Sequence, residues 1–278
     1  MRVLTFVVAA AFLAQDPAIR VSAQARAQQP GELVVVSIEG AGASGPVHVR
    51  AFNHDVPAFR TAGGQWRALV GIDLDVKPGV YSIAVSGGSP LQHAVDQLTV
   101  TRRVFRTRRL TVDEAFVTPP PSEEERIARE AKLLEGVWAS SAAEPLWTAA
   151  FVRPVPQPPN SAFGTRSIFN GKPRNAHGGA DFLSPSGTPV HAPNGGRIAV
   201  ARNLYFSGNT VVIDHGAGLF SMLAHLSSMQ VAEGDRVEAG QVIGLVGATG
   251  RVTGPHLHWA VRAAGARVDP LSLLALLG

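Results

Sequence analysis

The stretch Thr253-Gly254-Pro255-His256-Leu257-His258-Trp259-Ala260-Val261 decides how the C-terminal part of this chain is read. Trp259-Ala260-Val261 has the aromatic and β-branched character of a strand. On a strand, residues two apart point to the same face, so His256 and His258 project together while Leu257 packs behind them. Two imidazoles side by side repel when both are protonated, which favours a bound metal or a catalytic use. A buried structural pair is the alternative that this motif alone leaves open.

Working outward, Gly195-Gly196-Arg197-Ile198-Ala199-Val200, Thr210-Val211-Val212-Ile213 and Gln241-Val242-Ile243-Gly244-Leu245-Val246 also read as strands, and residues 270–277 as a short apolar helix or tail. Further upstream, Val34-Val35-Val36-Ser37-Ile38, Val47-His48-Val49-Arg50 and Tyr81-Ser82-Ile83-Ala84-Val85 alternate or run in β-branched residues between glycine and proline turns, with Lys77-Pro78-Gly79 as one turn signal. Strands at this spacing predict a small β-sandwich over residues 31–112.

Between the two β regions lies an expected linker, residues 113–160. Pro119-Pro120-Pro121 stops any strand, and Ser122-Glu123-Glu124-Glu125 reads as a capping-box start to a helix reaching about Leu134 or Glu135. Pro154, Pro156, Pro158 and Pro159 then read as an extended joint before a second domain over 161–278. The arginines 102, 103, 106, 108 and 109 form a basic patch whose default reading is a solvated edge, with contact to an anionic wall or lipid surface as a weaker one.

The chain has 278 residues, of which 45% are hydrophobic and 17% charged, so it can bury a core and does not read as disordered. A net charge of +4 suits anionic partners, but no aromatic-basic nucleic-acid motif is present, and nucleic acid is not expected as a partner. Arg2, an apolar run over 3–14 too short to cross a bilayer, and Ala23-Gln24-Ala25 read as a secretory signal peptide over 1–25, with Val21-Ser22-Ala23 as a second cleavage candidate. There is no cysteine, hence neither a lipid-anchored N-terminus nor a disulfide framework. The expectation is an exported protein, periplasmic or extracellular, without stable membrane insertion.

Six of the nine histidines fall between His177 and His258. In His177-Gly178-Gly179-Ala180-Asp181 an imidazole and a carboxylate can converge on one cation, the glycines letting the backbone bend closely. His225 lies in the apolar Ser221-Met222-Leu223-Ala224-His225-Leu226, where a lone histidine is more often a core residue than a functional one. His48, His54, His93, His191 and His215 read as structural or surface residues.

Taken together, three of these segments resemble the M23 (lysostaphin/LytM-like) zinc peptidases. His177-Gly178-Gly179-Ala180-Asp181-Phe182 looks like their H-x-G-x-D motif, and Ala224-His225-Leu226-Ser227 like their second motif. The stretch from Gly247 to Trp259 resembles their third, which ends in H-x-H. The turns Gly187-Thr188-Pro189-Val190-His191-Ala192-Pro193 and Gly234-Asp235-Arg236-Val237 match as well, and the similarity spans about 166–270.

The resemblance implies a mainly β protein whose second domain is an antiparallel groove with one zinc at its floor. His177, Asp181 and His258 match the ligands, leaving an open tetrahedral position for water. His225 and His256 match the two active-site histidines that do not bind metal. One departure is Leu223, where the family often has tyrosine.

The implied reaction is hydrolysis of peptide cross-links in bacterial peptidoglycan by attack of zinc-bound water. The expected bond is D-alanyl–diaminopimelate, as in M23 proteins of Gram-negative type with an N-terminal β-domain; a polyglycine bridge is the other family substrate. The rival readings are a non-catalytic activator of another wall hydrolase and a plain wall-binding module. The sequence names no regulatory partner and leaves the first domain's role open between docking, autoinhibition and partner binding.

Overall fold

A computed structural model describes residues 18–40, 45–114, 117–160 and 162–278. Its first half contains Arg20–Ala25 (β1), Leu33–Glu39 (β2), His48–Ala51 (β3), His54–Val56 (β4), Ala58–Arg60 (β5), Trp66–Gly71 (β6), Gly79–Gly87 (β7) and Gln92–Val100 (β8). They build two four-stranded sheets, ordered β1-β2-β6-β5 and β4-β3-β7-β8. Val34, Val36, Ile38, Val70, Ile83 and Val85 pack between them. The opposite face of β2 is buried too, because Leu33 and Val35 join Leu69 in the core of the second half. A strand buried on both faces has no need of polar alternation, which explains the unbroken Leu33-Val34-Val35-Val36 run.

β1 overlaps the end of the leader expected over 1–25. Residues 1–17 lie outside the described residues, but Arg20–Ala25 pairs antiparallel with β2 over six register positions, from Arg20 opposite Glu39 to Ala25 opposite Val34. Val21, Ala23 and Ala25 pack against the sandwich core, beside buried Ile19. The small residues that resemble a cleavage site also alternate with period two, and here they form a strand. Cleavage after Ala25 or Ala23 would remove all or most of it.

The basic patch is likewise more than a solvated edge. Arg103 bonds buried Glu32 at 3.1 Å and buried Asp269 at 3.3 Å, and Arg26 reaches the same two carboxylates at 2.7 and 2.9 Å. Two buried carboxylates thus meet two guanidinium groups, the pairing that burial of charge requires. Thr107–Leu110 (β9) then leaves the sandwich and pairs in parallel with Arg166–Phe169 (β10), so that Arg108 lies beside Ser167. The expected helix follows as Glu124–Trp138 (α1), but the capping box does not form: Pro121–Glu123 is a 3-10 turn and no side chain caps the helix. It continues past the expected end because Leu134, Val137 and Trp138 pack on Val200, Val212 and Phe220. The proline-rich segment after it is no free joint. Its backbone bonds Pro193, His191 and Asp181, and Phe151 and Val155 enter the main core.

Beyond β10 the chain adds Lys172–Pro173 (β11), Gly179–Phe182 (β12), Pro189–His191 (β13), Gly196–Leu204 (β14), Gly208–Gly216 (β15) and Leu219–Met229 (β16). Arg236–Val237 (β17), Val242–Val246 (β18), Leu257–Ala263 (β19), Ala266–Val268 (β20) and the helix Pro270–Leu277 (α2) complete it. The main sheet is antiparallel, ordered β12-β19-β16-β15-β14-β17 with β13, β18 and β20 attached. Fully buried Phe182, Leu223, Leu257 and Trp259 line its core face. Asp269 caps α2 by accepting from the Leu271 N–H at 3.0 Å. Among the described residues no helix is long and apolar enough to cross a membrane.

Candidate metal centre

β12 and β19 pair with Asp181 directly opposite His258, and on the other side of β19 His258 faces Ala224 of β16. Leu257 and Trp259 point to the core, so alternation sends His256 and His258 to the opposite, groove-facing side. His177 lies just before β12, held by N–H···O bonds from Gly164 to its carbonyl and from its own N–H to Thr165.

Three donor atoms converge there. His177 Nε2 lies 3.0 Å from Asp181 Oδ1 and 3.1 Å from His258 Nδ1, and His258 Nδ1 lies 2.8 Å from Asp181 Oδ1. Such a triangle suits one cation bound at roughly 2.0–2.2 Å to each donor, and two imidazoles with a carboxylate are a donor set that divalent transition metals take. Among the described residues this is the one group of three or more metal-binding side chains. His177 Nδ1 donates to the Ala162 carbonyl at 3.2 Å, which turns the Nε2 lone pair toward the cluster. Gly179 is required by close approach: a Cβ there would stand 2.4 Å from the Trp259 carbonyl oxygen and 2.8 Å from the His258 ring.

The charges follow from these contacts. Burial opposes ionisation of Asp181, but hydrogen bonds from His177 and His258 hold it well below the usual carboxylate range. Burial lowers His258. Burial also works against a charge on His177, yet its bond to Asp181 leaves it raised. Asp181 is therefore anionic and His258 neutral, the forms that bind a cation.

His225 arrives by a different route. Strict alternation along β16 would send it to the core with Leu223. Its φ of +65° and the register slip after Leu226 turn it back to the groove, while its N–H bonds the Ser207 carbonyl at 2.8 Å. A histidine in the left-handed region is locally strained and needs surrounding contacts to hold it. The ring centroids of His225 and His256 are 4.8 Å apart, and His256 Nε2 is 3.9 Å from Asp181 Oδ1. His225 Nδ1 donates to the Thr249 carbonyl at 3.0 Å and His256 Nδ1 to that of Gly254 at 2.9 Å. Both rings therefore keep an Nε2 lone pair available to accept a proton. Burial, then the charges of His258 and His256, lowers His225 to about 3, so it is neutral at neutral pH.

All five site residues expected from the sequence line one groove of about 580 Å³. The groove also takes in Arg108, Leu110, Val112 and Phe169 from the β9–β10 side, and Phe206 and Arg251 from loops on the β16 side. The β9 residues escape sequence reading because their partner strand lies far along the chain: Arg108 donates through Nε to Ser167 Oγ, 59 positions away. Leu223, the family departure, is fully buried in the core and does not line the groove. His215 and His191 are structural: His215 pairs with the Gly195 carbonyl and Ser221 Oγ, His191 with the Gly240 carbonyl.

The sequence profile of Peptidase family M23 matches residues 175–270, which hold this cluster. A solved chain from Pseudomonas aeruginosa, described as a candidate M23 peptidase, is 33% identical, superposes with a TM-score of 0.72, and the match covers 89% of this chain and 95% of that one. The chain belongs to peptidase family M23. Its mainly β, antiparallel architecture fits that family. Two curated relatives match about a third of the chain. Peptidoglycan DD-endopeptidase ShyA of Vibrio cholerae is 45% identical over 95 residues, 34% of this chain. DD-carboxypeptidase/endopeptidase Mpg of Neisseria meningitidis is 46% identical over 97 residues, 35% of this chain. Each match spans 22% of the relative's own length.

Proposed function

We propose that this M23 protein is a zinc-dependent endopeptidase that hydrolyses peptide cross-links of bacterial peptidoglycan outside the cytoplasm, with the D-alanyl–diaminopimelate bond as its target. The observation that carries this reading is the convergence of His177 Nε2, Asp181 Oδ1 and His258 Nδ1 within 2.8–3.1 Å, beside two further histidines whose Nε2 atoms are open. The relatives ShyA, a peptidoglycan DD-endopeptidase, and Mpg, a DD-carboxypeptidase/endopeptidase, support the substrate class and the bond type.

His177, Asp181 and His258 would hold the zinc. Bound there, it supplies Lewis-acid polarisation of the scissile carbonyl and activates water near neutral pH. The chain's own residues do the rest. Asp181 balances part of the cation's charge. His225, held neutral by burial, and His256, both with Nδ1 committed to backbone carbonyls, accept the proton of the attacking water or donate it to the departing amine. Their rigid attachment to the Thr249 and Gly254 carbonyls fixes both rings without reorganisation during the reaction. In the same reading the mature chain keeps Ile19 and β1, with any leader removed upstream of them.

The test is digestion of cross-linked sacculi with and without chelator, followed by mass spectrometry of the fragments. Chelator-sensitive loss of D-alanyl–diaminopimelate dimers supports the proposal. Zinc binding with intact dimers would turn the reading to an activator or wall-binding module.

A further inference from the structure

The groove has a charge pattern that the zinc cluster does not explain. Among its lining residues the only carboxylate is Asp181, which the three-donor cluster engages. Two guanidinium groups, Arg108 and Arg251, line the same groove. They come from unrelated parts of the chain. Arg108 sits on β9, which joins the groove beside β12 through the bonds linking 164–165 to His177. Arg251 sits in the loop between β18 and β19, tied to the β16 side by its N–H to the Phe206 carbonyl, next to the Ser207 carbonyl that receives the His225 N–H. The two cations thus reach one groove from separate segments, Arg108 from β9 and Arg251 from the loop between β18 and β19.

Both are positioned rather than merely present. Arg108 donates through Nε to buried Ser167 Oγ at 2.8 Å, which fixes the plane of its guanidinium. Arg251 lies over the Phe206 ring, 5.4 Å from its centroid. Burial and the nearby charge of Arg174 lower Arg251, so an anion brought into the groove relieves an electrostatic cost there.

We propose that Arg108 and Arg251 form carboxylate-recognition positions in the groove that holds the metal cluster, selecting peptides with free carboxylates near the scissile bond over an uncharged glycine bridge. The proposal takes its substrate class from the endopeptidase reading above, but the binding preference stands by itself. A guanidinium recognises a carboxylate through paired, charge-assisted hydrogen bonds, whereas glycine units between two stems present only neutral amides.

The experiment is calorimetric binding to the full-length protein of a diaminopimelate-containing stem peptide with free carboxylates, against the same peptide amidated at those groups. The wild type is expected to bind the acid form about tenfold more tightly, a preference that shrinks with added salt. Arg108→Gln and Arg251→Gln should each reduce the preference, and Arg108→Lys should retain part of it. Circular dichroism of the variants checks that they fold; Arg108 is exposed, so its replacement leaves the core intact. Equal affinity of the wild type for the two peptides, or an undiminished preference in both glutamine variants, overturns the proposal. Cleavage is scored separately: a carboxylate preference without hydrolysis leaves these positions standing and removes the endopeptidase reading.

Discussion

Asp181 and His258 stand directly opposite one another across β12 and β19, with Oδ1 and Nδ1 2.8 Å apart. The register of one antiparallel pair thus builds most of the proposed metal centre, and His177 completes it from the adjoining loop. Because every donor is held by backbone pairing, loss of one should not be repaired by its neighbours. Asp181→Asn is expected to weaken zinc by more than the roughly 10–100-fold typical of an outer hydrogen-bond partner. Competition with a chromophoric chelator reads this directly, and unchanged affinity would remove Asp181 from the ligand set.

His225 and His256 should separate from the ligands in their effects. His225→Ala and His256→Ala are each expected to retain zinc while turnover falls by roughly 10²–10⁴-fold. Metal analysis beside steady-state kinetics tests it. Loss of zinc in either variant would move that histidine into the coordination sphere.

His215 predicts an acid-sensitive fold. It is fully buried, and burial lowers it from 6.5 to about 4 despite its bond to the Gly195 carbonyl. Between these values the unfolded chain binds the proton and the native chain does not. The stability from keeping it neutral is therefore complete above pH 6.5 and is lost as pH falls toward 4, by about 3 kcal/mol at most. Urea unfolding of wild type and His215→Gln across this range should show a shallower pH slope for the variant. Parallel slopes would mean that His215 does not couple to folding.

Two truncations test β1. A chain starting at Ala18 keeps its six register pairs with β2, and one starting at Arg26 loses them. The shorter chain should be less stable by about 3 kcal/mol, from lost ladder bonds and the lost apolar packing of Ile19 and Val21. Equal stability would return residues 18–25 to a dispensable leader.

These contacts also show what was legible in the sequence. His256 and His258 were readable because a strand's period of two is local, whereas the apolar run over 270–277 left helix and tail open until Asp269 was seen to cap it. β1 was hidden because small alternating residues serve equally as a cleavage region and an edge strand. β9 was hidden because its pairing with β10 is long-range, so nothing local singled out Arg108 among five arginines as a groove residue. The left-handed turn at His225 was invisible too. Nothing in an apolar strand announces that one residue will leave its alternation, and the cause lies in Ser207 and Thr249, distant in sequence.

The most direct test of the central claim is zinc titration of the metal-stripped, full-length protein while hydrolysis of a defined D-alanyl–diaminopimelate dimer is followed. The account predicts no hydrolysis without metal, a linear rise with added zinc, and a plateau at about one equivalent, since His177, Asp181 and His258 supply a single site. Full activity without metal, or one tightly bound zinc with no hydrolysis, would contradict it.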